Sequence, residues 1–140
     1  MSRQSATTMR TSVLRDRIAL GLMLLSALGA LYAFATAIGA TSAAGPATQQ
    51  VEAWRALGYL MFAAIFVLLG LWPRRYPYLW EVVIVNKAAL TIVEVVLIGK
   101  GAADAQSTAL ADGILTVLLV AAYLLSRGYA SWWGRAAPAR

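Results

Sequence analysis

The chain has 140 residues, 61% of them hydrophobic, and a formal net charge of +6. It contains no cysteine and no histidine. That excludes disulfides, thiolate nucleophiles, iron–sulfur clusters and thiol relays, and it removes the imidazole base and the usual ligand of zinc, copper and haem. Any catalysis has to use carboxylates, lysine, tyrosine or hydroxyls, and no metal or cofactor is expected.

Four long apolar stretches fill most of the chain, at about 18–37, 56–72, 78–98 and 107–126. A hydrocarbon core of ~30 Å takes ~20 apolar helical residues to cross, with a lower limit near ~17. Backbone amides find no partner in lipid, so such stretches must be helical. The expected fold is all-α: an integral membrane bundle of four helices running up-down-up-down, with short links between neighbours.

The basic residues follow a topological pattern rather than a nucleic-acid footprint. Arg3, Arg10, Arg15 and Arg17 precede the first stretch, Arg74 and Arg75 separate the second and third, and Arg127, Arg135 and Arg140 follow the fourth. The other two connections hold only Arg55 and Lys100. By the positive-inside rule both ends of the chain lie in the cytoplasm, in a membrane of the bacterial plasma-membrane type, where the excess charge also meets anionic lipid headgroups.

In chain order, residues 1–17 form a polar cytoplasmic segment expected to be frayed or to lie on the membrane surface. The first apolar run is longer than the ~7–15 residues of a cleaved signal peptide, so it reads as a retained helix. Gly29 and Ala33, four residues apart, are expected to let a neighbouring helix approach closely. Ala40–Val51 reads as the longest external loop and a partial lid. Trp54 and Trp72 bracket the second stretch, and all five tryptophans are expected in interfacial belts. Pro73 and Pro77 end one helix and start the next, which points to an antiparallel hairpin of the second and third helices. Asp104, Ser107 or Thr108 is expected to cap the fourth helix. Residues 127–140 form an aromatic-basic cytoplasmic tail.

The third stretch carries Glu81, Asn86, Lys87, Thr91 and Glu94 inside an apolar run. Lys87, Thr91 and Glu94 share a helix face by their i, i+4, i+7 spacing. A charge at mid-bilayer costs ~2.5–3.5 kcal/mol on insertion scales, so this face should look into the bundle. Lys87 and Glu94 are ~10 Å apart along the axis, too far for a direct pair without a bridging group. Asp112 and Thr116 on the fourth stretch enter the same layer, as do Arg55 and Tyr59 on the second and Tyr32 and Thr36 on the first. The candidate site therefore comprises Glu94, Asp112 and Lys87 as catalytic groups, with Tyr32, Arg55, Tyr59, Thr91 and Thr116 around a substrate.

Each residue has a plain structural alternative. Tyr32 and Tyr59 suit packing or an interface. Thr91 and Thr116 suit a bond to a carbonyl one turn back. Arg55 suits snorkelling to the surface. Glu81, near the cytoplasmic edge, is expected to pair with Arg74, Arg75 or Arg127, and Asn86 to bond between helices. Lys87 and Glu94 also suit a buried salt bridge.

Two carboxylates close together in a low dielectric cannot both ionise easily, which places a carboxylic acid beside a carboxylate. Glu94 as acid or base, Asp112 as its partner and Lys87 or Tyr59 as stabiliser would serve isomerisation, cyclisation or epoxide opening of a lipophilic molecule without a metal. Two other classes use the same residues: an accessory subunit or homodimer whose polar stripe binds a neighbouring membrane helix, and a proton-coupled transporter. The expected partners are membrane lipids and a lipophilic small molecule, with no nucleic acid.

The basic link Pro73-Arg74-Arg75, the Asn86-Lys87 pair inside the third stretch and the Ala121-Ala122-Tyr123 end of the fourth resemble the layout of the small bacterial four-helix membrane proteins grouped as DoxX-like. The resemblance covers most of the chain. It implies no defined activity and assigns no functional residue. By shape the chain is also similar to four-helix anthrone-oxygenase-like proteins, from which the lack of histidine sets it apart.

Overall fold

A computed structural model describes the backbone of residues 3–135 and the side chains of residues 12–133. Every regular element among the described residues is helical: α1 (Arg3–Ala43), α2 (Gln49–Leu71), α3 (Leu79–Ile98), α4 (Ala105–Ser126) and a short 3-10 segment, η1 (Gly128–Arg135). Arg140 lies outside the described residues, and the side chains of Arg3, Arg10 and Arg135 do too.

Three of the four helices are long and apolar enough to cross a membrane: α1 over Ser12–Ala43, α2 and α4. α3 differs from the expectation. It has the length of a span, but Glu81, Lys87 and Glu94 fall within any membrane-length window of it. The helix ends also move. The polar lead expected to fray is the beginning of α1, and most of Ala40–Val51 is helical, leaving a tight connection at 44–48 in which Gly45 accepts the amides of Thr48 and Gln49 at 3.0 Å each. At ~1.5 Å per residue, α1 is about 60 Å long, twice the hydrocarbon thickness of ~30 Å.

Alanines line much of the helix packing beside a few large buried residues, Met23, Phe66, Leu69, Trp80 and Leu119, and many large apolar side chains face outward. The buried positions of α1 are Ala19, Met23, Ser26, Ala27, Ala30 and Ala37, and α2 and α4 add Ala56, Ala63, Ala105, Ala109 and Ala122. Large side chains point outward, including Leu28, Val85, Ile92, Leu110 and Val117, each more than 60% exposed. Water would select the reverse. Lipid accepts large apolar side chains, and small residues let helix backbones approach. The closest such approach is at Gly70, where an added Cβ would lie 3.0 Å from the Cβ of Met23. The expected Gly29 face does not serve: nothing lies within 4 Å of a Cβ built there, because the stripe through Ala27 and Ala30 is the one that turns inward.

α1 packs along α2, α3 along α4, and α1 also along α4. α2 and α3 do not form the tight hairpin that their proline-bounded link suggested. Their backbones approach little, although the side chains of Phe62 on α2 and Lys87 on α3 meet. Asp16 of α1 holds Arg74, just past α2, at 2.6 Å. Trp80 of α3 donates its indole N–H to the Pro73 carbonyl at 2.8 Å and is only 1% exposed. It is a core residue rather than a belt tryptophan, because the link folds back over it. Trp54, Trp72, Trp132 and Trp133 are all exposed.

The expected caps are absent in that form. Asp104 occupies the N-cap of α4 at φ 62° and its side chain makes no capping bond. The hydroxyls of Ser107 and Thr108 donate back to the Asp104 carbonyl at 2.8 and 3.0 Å.

Candidate functional site

The structure draws Lys87 and Asp112 together. Lys87 Nζ donates to Asp112 Oδ1 at 2.8 Å, and the side chains are 5% and 9% exposed. The ammonium also sits 4.1 Å from the centre of the Phe62 ring on α2, a cation–π arrangement. α4 begins at Ala105, so Asp112 lies two turns inside the helix. Thr91 and Thr116 flank the pair, each donating its hydroxyl to a carbonyl one turn back: Thr91 to Lys87 at 2.9 Å and Thr116 to Asp112 at 2.8 Å. These bonds occupy both hydroxyls locally. The Thr91 methyl faces Gly113, where an added Cβ would lie at 3.6 Å.

The remaining members of the expected layer do not join this centre. Glu94 is half-buried on α3 and makes no hydrogen bond or ion pair with any described residue. Asp112 meets the lysine, not a second carboxylate. Tyr32 is 74% exposed. Arg55 pairs with Glu52 on its own helix, and Tyr59 is half-buried on α2. Thr36 bonds to the Ala33 carbonyl at 2.9 Å. Among the described residues, no group of three histidine, cysteine, aspartate or glutamate side chains is placed to hold a metal.

A second polar centre lies at the other end of α3. Glu81 Oε1 accepts the Tyr123 hydroxyl at 2.6 Å and the Trp132 indole N–H at 2.9 Å. The expected partners Arg74, Arg75 and Arg127 are not used. Arg74 is held by Asp16, and Arg127 adopts a left-handed turn at the end of α4 (φ 54°, ψ 46°) that sends η1 back toward α3. Gly128 makes that return feasible: a Cβ there would stand 2.6 Å from the Tyr123 ring and 2.7 Å from Trp80 Nε1. Aromatic pairs knit the cluster, with Tyr78 and Trp132 at 4.9 Å between centroids, Trp80 and Tyr123 at 5.9 Å, and Tyr123 and Tyr129 at 6.0 Å.

Beside this cluster an open groove of about 580 Å³ runs along the outer face of α3. Val82, Val85 and Ala89 form its apolar wall, and Tyr78, Glu81, Asn86 and Trp132 its polar end. Sequence reasoning placed Glu81 and Asn86 at membrane depth but not in a groove. The signal for it was weak, namely that Val82, Val85, Asn86 and Ala89 share the helix face next to Glu81. The participation of Trp132 from the tail had no local signal at all.

The chain has no significant match to a family model, to a curated protein or to a solved structure.

Proposed function

We propose that this protein is an integral membrane four-helix bundle that binds a lipophilic molecule in the groove on the outer face of α3. In this reading all four helices cross the membrane in alternating directions, both ends of the chain are cytoplasmic, and the membrane is of the bacterial plasma-membrane type. The many large apolar side chains on the outside, with alanines along much of the helix packing, support a lipid environment. The neutralisation of Lys87 by Asp112 supports insertion of α3 despite its charges, because a paired charge is far less costly in lipid than a lone one.

The observation that carries the binding assignment is the groove itself. It is shallow and open, with an apolar wall of one helix turn and more and a few polar groups at one end, so it would hold one flank of a lipophilic molecule and leave the rest to the bilayer. Acid/base catalysis by Glu94, Asp112 and Lys87 has weaker support, since Asp112 is committed to Lys87 and Glu94 stands apart from both. An accessory-subunit reading draws support from Asn86, an exposed amide on an otherwise apolar helix face. Such residues bond across membrane helices.

Native mass spectrometry of protein purified in mild detergent tests the binding assignment. The wild-type chain should retain a bound lipid or metabolite. Ala89→Trp, which fills the groove from an exposed position, should lose it with the helical content unchanged. Equal retention by the variant would place the ligand elsewhere, and a heteromeric mass with an α3-facing partner would favour the subunit.

A further inference from the structure

We infer that the occupant of the α3 groove is a membrane phospholipid with an ammonium headgroup, recognised by Glu81 beside the ring of Tyr78. This rests on the groove being the binding site.

The argument begins with an uncompensated acid. Glu81 Oε1 takes two donors, the Tyr123 hydroxyl and the Trp132 indole, whereas Oε2 is buried without any hydrogen-bond partner among the described residues. No lysine or arginine among the described residues lies within ion-pair distance of Glu81, although Lys87 is one and a half turns away and Arg74 and Arg75 are in the preceding link. Lys87 is committed to Asp112 and Arg74 to Asp16, and the exposed Arg75, beside the Tyr76 ring at 5.9 Å, makes no ion pair with Glu81. A buried carboxylate oxygen left without a donor costs the full desolvation of that group. A cation from outside the chain removes the deficit.

The surroundings select which cation. Tyr78 and Trp132 are 56% and 48% exposed and form a tilted pair at the mouth of the groove. Aromatic faces beside a carboxylate are the arrangement that recognises alkylammonium groups. A hydrated inorganic ion would gain nothing from the apolar wall that follows. That wall, Val82, Val85 and Ala89, continues along α3 away from Glu81 in the direction an acyl chain would take. Exposed Tyr78 and Trp132 mark the headgroup level in the manner of interfacial aromatics. The same end of the molecule carries the exposed guanidinium of Arg75 in the link that finishes at Tyr78, suited to a lipid phosphate. An amine without a phosphate or a long chain would use only part of this surface. Oε2 is covered, so entry of the ammonium displaces the half-exposed Trp132 ring while Tyr123 keeps its bond to Oε1.

Competition in neutral dodecyl maltoside micelles, read by native mass spectrometry, tests the assignment. The probes are dimyristoyl phosphatidylethanolamine and dimyristoyl phosphatidylglycerol, which share chains and phosphate and differ in the ammonium. Wild-type protein should retain the ethanolamine lipid at least tenfold over the glycerol lipid. Glu81→Gln, whose amide oxygen still accepts from Tyr123 and Trp132, should lose that preference and keep binding both lipids weakly. Equal retention by the wild type, which needs no variant, overturns the headgroup assignment and leaves the groove in place, as does an unchanged preference in Glu81→Gln. Retention of both lipids by Ala89→Trp overturns the groove itself. A lipid-free dimer whose formation Ala89→Trp abolishes would assign the groove to a second copy of the chain and overturn the lipid.

Discussion

The Lys87 ammonium on α3 lies 2.8 Å from Asp112 Oδ1 on α4, and both side chains are almost wholly enclosed. This pair joins two helices at their middle and faces Phe62 of a third. Its geometry is that of a saturated clamp. The lysine's charge is met by the carboxylate and by a ring face, and the backbone carbonyls of Lys87 and Asp112 take the hydroxyls of Thr91 and Thr116 one turn on. A buried pair of this kind contributes little net stability relative to an apolar replacement, yet it is costly to break from one side.

Removing one partner should therefore be worse than removing both. Asp112→Asn leaves Lys87 enclosed without its counter-charge and is expected to destabilise the protein by about 3–5 kcal/mol. The double replacement Lys87→Met with Asp112→Leu should recover most of that loss. Thermal or SDS-induced unfolding in detergent measures both. A single variant as stable as the wild type would show that the pair is exposed to water in the membrane-embedded protein.

Gly128 stands where no larger residue fits, between Tyr123 and Trp80. Gly128→Ala should force η1 away from α3, at an overpacking cost of about 1–3 kcal/mol, and break the Trp132–Glu81 bond. Tryptophan fluorescence, measured with Trp54, Trp72 and Trp133 replaced by phenylalanine and the core Trp80 retained, should shift to the red as the Trp132 indole enters solvent. No shift would mean that the turn after α4 accommodates the methyl without moving η1.

Arg127 is a non-glycine residue held in the left-handed region, with φ 54°, and its amide bonds to the Leu124 carbonyl at 3.3 Å. Helices commonly end on glycine in this conformation. Arg127→Gly relieves the steric strain but also frees the unfolded chain, so the net gain should be small, below about 1 kcal/mol. A rise of a degree or more in the unfolding midpoint is the expected result, and a fall would point to a contact of the arginine side chain that outweighs the backbone relief.

Both ends of the chain should lie on the same side of the membrane as residues 72–78. The absence of cysteine makes this directly measurable, since each introduced thiol is the sole one. In intact cells Ala47→Cys and Ala102→Cys, both at exposed positions in connections, should react with an impermeant maleimide, and Trp133→Cys should react only after permeabilisation. Labelling of Trp133→Cys in intact cells would invert the orientation. Labelling of only one of the two connections would mean that α3 does not cross.

Composition and hydropathy were enough to find four helices near their true places and to mark Lys87 and Asp112 as groups in need of partners; all four were expected to be apolar enough for a membrane, and three of them are. Helical spacing placed Lys87 and Thr91 on one face of α3, and Asp112 and Thr116 on one face of α4. Spacing does not give the rotation of a helix against its neighbours. In a water-soluble bundle the apolar stripe supplies it, but here the outward faces are as apolar as the core, so Ala27 and Ala30 could not be told from Gly29 and Ala33 as the packed face. Axial offset is equally invisible. The antiparallel stagger of α3 on α4 sets Lys87 against Asp112 and leaves Glu94 alone, while a shift of about two turns would have set Glu94 against Asp112 instead. Glu81 shows the remaining gap, because its partners Tyr123 and Trp132 are 42 and 51 residues away and arrive only through the left-handed turn at Arg127 and the room left by Gly128. Local pattern reports which side chains need company; chain reversal and the fit of helix against helix determine who supplies it.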